Sequence, residues 1–442
     1  MSVPVYRGRF GPAQAERLLW RAGFGPAPGQ AHKLARKGLR AAVRSLTRPQ
    51  GKARLHGPTP HDSDGLPLAP TDAWGHDLLW WLDRMVRSNQ PLVERMALVW
   101  HDWFATASVV GPKLMLKQNE LFRRRGLGSF EKLLLAVTID PAMLVWLSGN
   151  ENEREAPNEN YGRELMELFT LGAGNGYSEN DVREQARALT GWTNDWDDVR
   201  GMVNFRFERD RHDYGRKRIF GKSGNFDWRD SCRLCIEHPA HARFFVERLW
   251  SYFVPTPPPE RTLRKLIKGY RRDRSIRRVV EATLMHPALY EGPRMVKPPI
   301  VQIAGMLRAR RAGIDTDSWI WIAEEAGQRL FEPPNVAGWD EQRWLDTARI
   351  SGRWYAVAHN SRRAEIDVDA YDPTETTGEA VRKALRFWGN PTLSKRTRSE
   401  LQRFSRQVEG AAREEWQQGP YRGGRQGALR TLIAMSPEFL TS

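Results

Sequence analysis

Apolar residues recur at spacings of three and four along most of the chain, as in Ala15, Leu18, Leu19 and Ala22 or Leu79, Leu82, Met85 and Val86. That spacing predicts core-facing helices. Helices are expected at 72–88, 90–109, 113–125, 129–138, 157–171 and 178–191, the last opened by Ser178 as N-cap with Glu179 and Asp181 in its first turn. From Arg48 to Thr71 the period disappears among Pro, Gly, His and Asp, which predicts a long surface loop with the most freedom to move. Between Gly201 and Gly224 the period falls to two. Val203, Phe205 and Phe207 alternate with polar residues, Arg211–Gly215 turns, and Lys217–Phe220 returns, which predicts a β-hairpin. Apolar runs end at Asp140-Pro141, His238-Pro239, His286-Pro287 and Ser436-Pro437; a capping side chain followed by Pro at the first helical position makes a sharp helix-to-helix corner. The expected fold is mainly α, a multi-helical globular domain with one small inserted β-hairpin. Its parts are a helical pair over 1–47, the loop 48–71, a main domain over 72–360 and a basic helical region over 361–442 packed on it.

Composition narrows the class. At 442 residues, with 40% hydrophobic and 28% charged positions, the chain is neither disordered nor fibrous, and two cysteines rule out a disulfide scaffold. No run of eighteen apolar residues occurs, and Met1–Gly11 is too polar for an export signal, so the expectation is a cytoplasmic protein without a transmembrane segment. The net charge of +16 is concentrated in part between Arg382 and Arg430, where twelve basic side chains far outnumber the acidic ones. That region is either a solvated helix face or a contact for an anionic polymer or membrane surface. The 18 tryptophans are an unusual load for this length.

The run Asn158–Gly172 holds the most chemistry. At 100° per residue, Tyr161, Leu165, Leu168, Phe169 and Leu171 form an apolar stripe, Glu164 falls at its edge, and Asn160 and Glu167 adjoin on the same flank. A carboxylate at a core margin must be paired, protonated or bound to a cation. Either Glu164 pairs with an arginine such as Arg187, or it is a catalytic or metal-binding group. His212 and Asp213, on the turn between the two alternating runs, offer metal ligands or an acid–base pair, although Asp is also an ordinary turn former. Gly221–Gly224 is a weak phosphate signal.

Other candidates carry a structural reading beside the functional one. His101 and Asp102 lie off the strongest stripe of their helix, placed to meet solvent, another helix or an internal pocket. Cys232, Cys235, His238 and His241 have zinc-like spacing, but on one helix they spread over half the circumference, which favours buried thiols. Phe331–Asp340 reads as a rigid turn ending in Trp339, which with Trp344 and Trp354 could stack on a ligand or simply anchor a core.

Seven segments occur in a consistent order: Arg21-Ala22-Gly23-Phe24-Gly25, the Asn158–Gly172 run, Ala188–Trp192, His212-Asp213, Gly224–Asp227, Val296–Pro299 and Pro333–Trp339. With them the chain resembles the bacterial domain of unknown function 1800 family over nearly its whole length. The resemblance implies a mainly helical fold and carries over no reaction. It also implies that many relatives are exported, and that many are encoded beside phosphatase- or sulfatase-like proteins of the domain of unknown function 1501 family, a candidate partner. Three readings follow. One is an enzyme using Glu164, Glu167, His212 and Asp213 for hydrolysis or group transfer, with or without a divalent metal, and binding substrate through Asn158, Asn160, Arg163, Asn335 and Trp339. The second is a non-catalytic helical scaffold. The third is polyanion binding through the basic surface, for which no nucleic-acid module is visible.

Overall fold

The computed structural model describes residues 3–362 and 374–442, so the start of the basic region expected from 361 lies partly outside the described residues. Twenty-two α-helices and two small antiparallel sheets occur among the described residues, which makes the fold mainly α with a small β insertion. The chain forms two compact units. One is built on Val93–Leu289 with Phe331–Trp339; the other on Arg7–Leu92, Tyr290–Leu330 and the described part of Asp340–Ser442.

In the first unit the apolar stripes converge on an aromatic core. Phe130 lies 4.7 Å from Phe245 between ring centroids, Phe245 stacks on Tyr270 at 4.2 Å, and Phe104 meets Phe169 edge-on at 5.1 Å. Trp100 and Trp103 are fully buried beside them, each with its indole N–H on a backbone carbonyl, Gly126 and Phe169 respectively. A buried indole needs such an acceptor, so these tryptophans are satisfied core anchors.

The second unit buries cations as well as apolar groups. Lys297 lies 3.6 Å above the Trp20 ring and donates to the Phe439 carbonyl at 2.6 Å. Arg353 donates to the carbonyls of Trp344 and Lys297 and to Gln302 Oε1. The segment 48–71 is more fastened than its composition suggests. His61 N–H donates to the Ile314 carbonyl at 3.0 Å, His56 N–H to Arg87 at 2.9 Å, and Ser63 pairs with Thr316 at 3.1 Å.

The proline corners are built as their residues require. Asp140 caps the Pro141–Trp146 helix through the amides of Ala142 and Met143, Ser436 caps Pro437–Leu440 through Phe439, and the ring Nδ1 atoms of His286 and His238 accept from Ala288 and Ala240. Ser178 caps Glu179–Ala188 in a reciprocal box with Asp181.

The β insertion differs in its pairing. Gly201–Phe207 pairs backwards with Trp192–Asp197, Trp192 opposite Phe207, while Lys217–Ile219 pairs only with Lys222–Gly224. The tighter turn wins: Asp197 accepts from the amides of Val199 and Arg200 and closes the connection, whereas Arg209–Arg211 leaves as a 3-10 turn.

Asp140 also accepts from Gln118 Nε2 at 2.8 Å, so its cap is buried and cross-braced. Asp140→Ala is expected to cost about 1–2 kcal/mol and Asp140→Asn clearly less, since the amide oxygen still caps; urea unfolding of the two variants checks this.

Candidate functional site

The Asn158–Gly172 run folds as an α-helix, Glu159–Glu164, that widens into a π-helical turn, Leu165–Thr170. Leu171 N–H reaches back five residues to the Met166 carbonyl at 2.8 Å, and Thr170 Oγ1 donates to the Leu165 carbonyl at 2.5 Å. Asn158 starts the helix by accepting from Asn160 N–H at 2.9 Å. Gly162 lets the Glu179–Ala188 helix approach closely: a Cβ there would sit 3.1 Å from both Ala186 N and the Val182 carbonyl.

A π-turn that ends in a core leaves carbonyls for which no further turn supplies donors. Three successive carbonyls are taken by side chains: Leu168 by the Arg248 guanidinium, Phe169 by Trp103 Nε1 at 3.1 Å, and Thr170 by His241 Nδ1 at 2.9 Å. A carbonyl only accepts, so His241 carries its hydrogen on Nδ1, and Nε2 accepts from the Tyr270 hydroxyl at 2.7 Å. Burial pushes this imidazole down to about 4, so it is neutral near pH 7.

Asp102, beside Trp103, forms a second clamp. Its Oδ2 accepts from the Tyr252 hydroxyl at 2.5 Å and its Oδ1 from Trp339 N–H at 2.8 Å. Burial raises the Asp102 carboxyl, opposed by Tyr252, Trp339 N–H, Arg248 and Arg95. His101 packs against Phe331 and Trp339 with ring centroids 5.5 Å from each, and burial pushes it down to about 3. The pair faces the protein interior, and Asp102 meets another helix through Tyr252. Asn335 shapes the turn that delivers Trp339 by accepting from Ala337 N–H at 2.8 Å.

Glu164 and Glu167 sit three residues apart on the half-buried flank of the α/π junction. Neither makes a hydrogen bond or ion pair among the described residues. The Glu164 carboxyl is pushed up, first by desolvation and then by Glu167, with Arg163 opposing. The pairing of Glu164 with Arg187 anticipated from the sequence is not formed. Arg187 turns to the β insertion instead, bridging Asp213 at 2.6 Å and Glu184 at 2.9 Å.

His212 is buried, its Nδ1 2.9 Å from the Thr190 carbonyl, which fixes the hydrogen on Nδ1 and leaves the lone pair on Nε2. Burial holds its pKa down. Asp213 is also desolvated, but the Arg187 hydrogen bond, the Gly215 amide and Lys217 outweigh burial and keep it ionised at lower pH. No hydrogen bond or ion pair joins Glu164 or Glu167 to His212 or Asp213 among the described residues.

Of the residues expected to bind substrate, Asn158 and Asn335 are occupied as caps, Arg163 bridges Glu179 at 2.6 Å and Glu159 at 3.2 Å, Asn160 is exposed, and Trp339 is buried on His101. Cys232 and Cys235 are buried thiols on Thr138 Oγ1 and Gln185 Nε2, both at 3.2 Å, and His238 and His241 turn elsewhere. No group of three or more His, Cys, Asp or Glu stands ready for a metal among the described residues. Arg248 and Tyr252 were not legible as site residues. The groups they bond, the Leu168 carbonyl and Asp102, are 80 and 150 residues away in the chain, so no local pattern marks them.

These features define a multi-helical protein whose π-turned helix carries two half-buried carboxylates that make no hydrogen bond or ion pair among the described residues. The chain belongs to the family described as "Protein of unknown function (DUF1800)", whose profile matches residues 17–441. No curated protein and no solved structure matches the chain significantly. No helix among the described residues is long and apolar enough to cross a membrane.

Two changes probe this geometry. Gly338 has φ +95°, and a Cβ there would stand 2.7 Å from the Asp102 carbonyl oxygen. Gly338→Ala is therefore expected to destabilise by roughly 1–3 kcal/mol, read by thermal or urea unfolding. Glu164 titrates higher folded than unfolded, so its ionisation costs the folded state stability above its folded pKa and costs nothing below the unfolded value near ~4.3. Glu164→Gln should raise stability at alkaline pH, by less than about 1 kcal/mol because solvent screens the half-exposed group, and leave it unchanged near pH ~4.

Proposed function

We propose that the protein is an enzyme in which Glu164 and Glu167 transfer protons during hydrolysis or group transfer on a polar substrate. The observation that carries this reading is the pair itself: two neighbouring carboxylates, half-buried, without a counter-charge bonded to either. Burial and the neighbouring Glu167 carboxylate raise the Glu164 carboxyl, which suits it to donate a proton, and Glu167 stands beside it to accept one. Glu164 takes the acid role and Glu167 the base role. His212, with its free lone pair on Nε2, and Asp213, locked to Arg187, belong to the same reading as a neutral base and its support. Two carboxylates give a metal only two ligands, so a metal held there would need further ligands from substrate or water.

A second reading, a helical scaffold for a phosphatase- or sulfatase-like partner, draws support from a different feature. Trp321, Trp354 and Tyr355 are nearly half exposed and lie in contact, with centroids 5.9 and 6.3 Å apart, where single exposed aromatics would need no explanation.

The test is turnover of phosphate, sulfate, glycosidic and carboxylic esters by the purified full chain. Glu164→Gln and Glu167→Gln should each lower kcat by about 10²–10⁴-fold with the fold intact by circular dichroism. Trp196→Ala, on the exposed strand end, should change nothing. Activity in both glutamine variants equal to that of the unsubstituted chain would remove the acid–base assignment, and no turnover of any class would favour the scaffold.

A further inference from the structure

The unit built on Arg7–Leu92 and Tyr290–Leu330 contains a cleft of about 630 Å³ whose charged lining is all of one sign. Lys33, Arg36, Arg308 and Arg311 line it together with His56 and Gln30, and no Asp or Glu does. Lys33, Arg36 and Arg311 are exposed at its walls, and none of the three side chains makes a hydrogen bond or ion pair among the described residues. Elsewhere the chain neutralises its arginines readily, as Arg163, Arg187 and Arg123 show. Here it does not.

Arg308 makes the cleft a built feature. It is 7% exposed, and its guanidinium is held by the carbonyls of Gly25 at 3.2 Å and Val86 at 2.7 Å, with Gln30 Oε1 more distant at 3.4 Å. Those partners are dipoles, so a full positive charge stays in a desolvated wall without a carboxylate, an arrangement that costs stability unless something else uses the charge. Arg311 is fixed by the backbone: it ends the Pro299–Arg310 helix in the left-handed region at φ +55°, which sets the start of its side chain beside Arg308.

We infer that this cleft binds a small phosphorylated molecule carrying two or more negative charges. Volume and charge both select that class. The cleft falls within the range of small-molecule sites, roughly 300–1,000 Å³. The three guanidinium forks and the Lys33 ammonium match the oxygens of a phosphoryl group, whereas a single carboxylate could not use so many donors. This site is distinct from the basic 382–430 region, and it does not rest on the carboxylate pair, which belongs to the other unit.

Inorganic pyrophosphate, titrated calorimetrically into the full chain at low salt, is the probe. One-to-one binding is expected. Arg311→Gly, which keeps the left-handed backbone, and Lys33→Ala with Arg36→Ala on an exposed helix face should each weaken it at least about tenfold, the loss of a charge-assisted contact. Removing two charges elsewhere, by Arg396→Ala with Arg398→Ala, should leave it unchanged. No binding at about 1 mM pyrophosphate, or equal weakening by the cleft and control variants, would overturn the assignment. Unchanged melting temperatures in all variants exclude a folding effect, since none of the substituted side chains is buried.

Discussion

The constraint on which the first unit depends is the end of a π-helical turn inside an aromatic core. The carbonyls of Phe169 and Thr170 are buried and that of Leu168 is half-buried, and a bond left unmade away from water would cost on the order of 1–3 kcal/mol. Three residues from two other helices meet the demand, Trp103 from Pro91–Trp103 and Arg248 and His241 from His241–Ser251. Each donor then fixes something further. Trp103 brings Asp102 against Tyr252 and Trp339; His241 is locked into the tautomer that accepts from Tyr270; Arg248 stacks on the Trp103 ring at 4.4 Å. The helix that carries Glu164 and Glu167 is thereby anchored through its own backbone, which frees its carboxylates from any structural duty.

The second unit uses the same chemistry in reverse. There the surplus is of donors, in keeping with the net charge, and carbonyls absorb it: Phe439 for Lys297, Trp344 and Lys297 for Arg353, Gly25 and Val86 for Arg308. Burial pulls the guanidiniums of Arg308 and Arg353 down to about 10, which still leaves them charged at neutral pH. A high formal charge is thus compatible with a well-satisfied interior and says little by itself about a polyanion partner. What matters is where cations are left over.

The legible parts of the sequence were the local ones. Ser178, Asp140 and Ser436 cap the helices they precede because the bond each makes spans two or three residues, and of the six helices that the period of three and four marks, five lie within about a turn of the expected bounds, Pro91–Trp103 stopping six residues short of 109. Two kinds of feature escaped. A wheel drawn at 100° assumes an α-helix throughout, so it could not show a π-turn at Leu165–Thr170, and it placed Leu168 in a stripe that the structure only half buries. Partner choice also escaped. Trp192–Asp197 shows no alternation strong enough to announce a strand, so Gly201–Phe207 pairs with a neighbour the pattern does not predict, and the Arg187 pairing, one of two alternatives for Glu164, is not formed.

That second failure bears on how a site can be recognised at all. Most of the polar residues in the segments that mark this family are spoken for: Asn158 and Asn335 cap turns, Arg163 and Asp213 sit in ion pairs, Lys297 holds a carbonyl, and Asp227 caps the Trp228–Glu237 helix. A group whose hydrogen bonds and charge are already matched has a sufficient structural reason to be there. Glu164 and Glu167 have none, and the desolvation of Glu164 beside a second carboxylate raises the free energy of the folded chain. An unfavourable arrangement held in place by favourable ones around it is the physical mark of a site, because strain and desolvation persist only where the surroundings over-determine them. By that criterion Arg163 is the clearest argument for the carboxylates: its guanidinium is near enough to oppose the upward shift of Glu164, yet its hydrogen bonds go to Glu179 and Glu159.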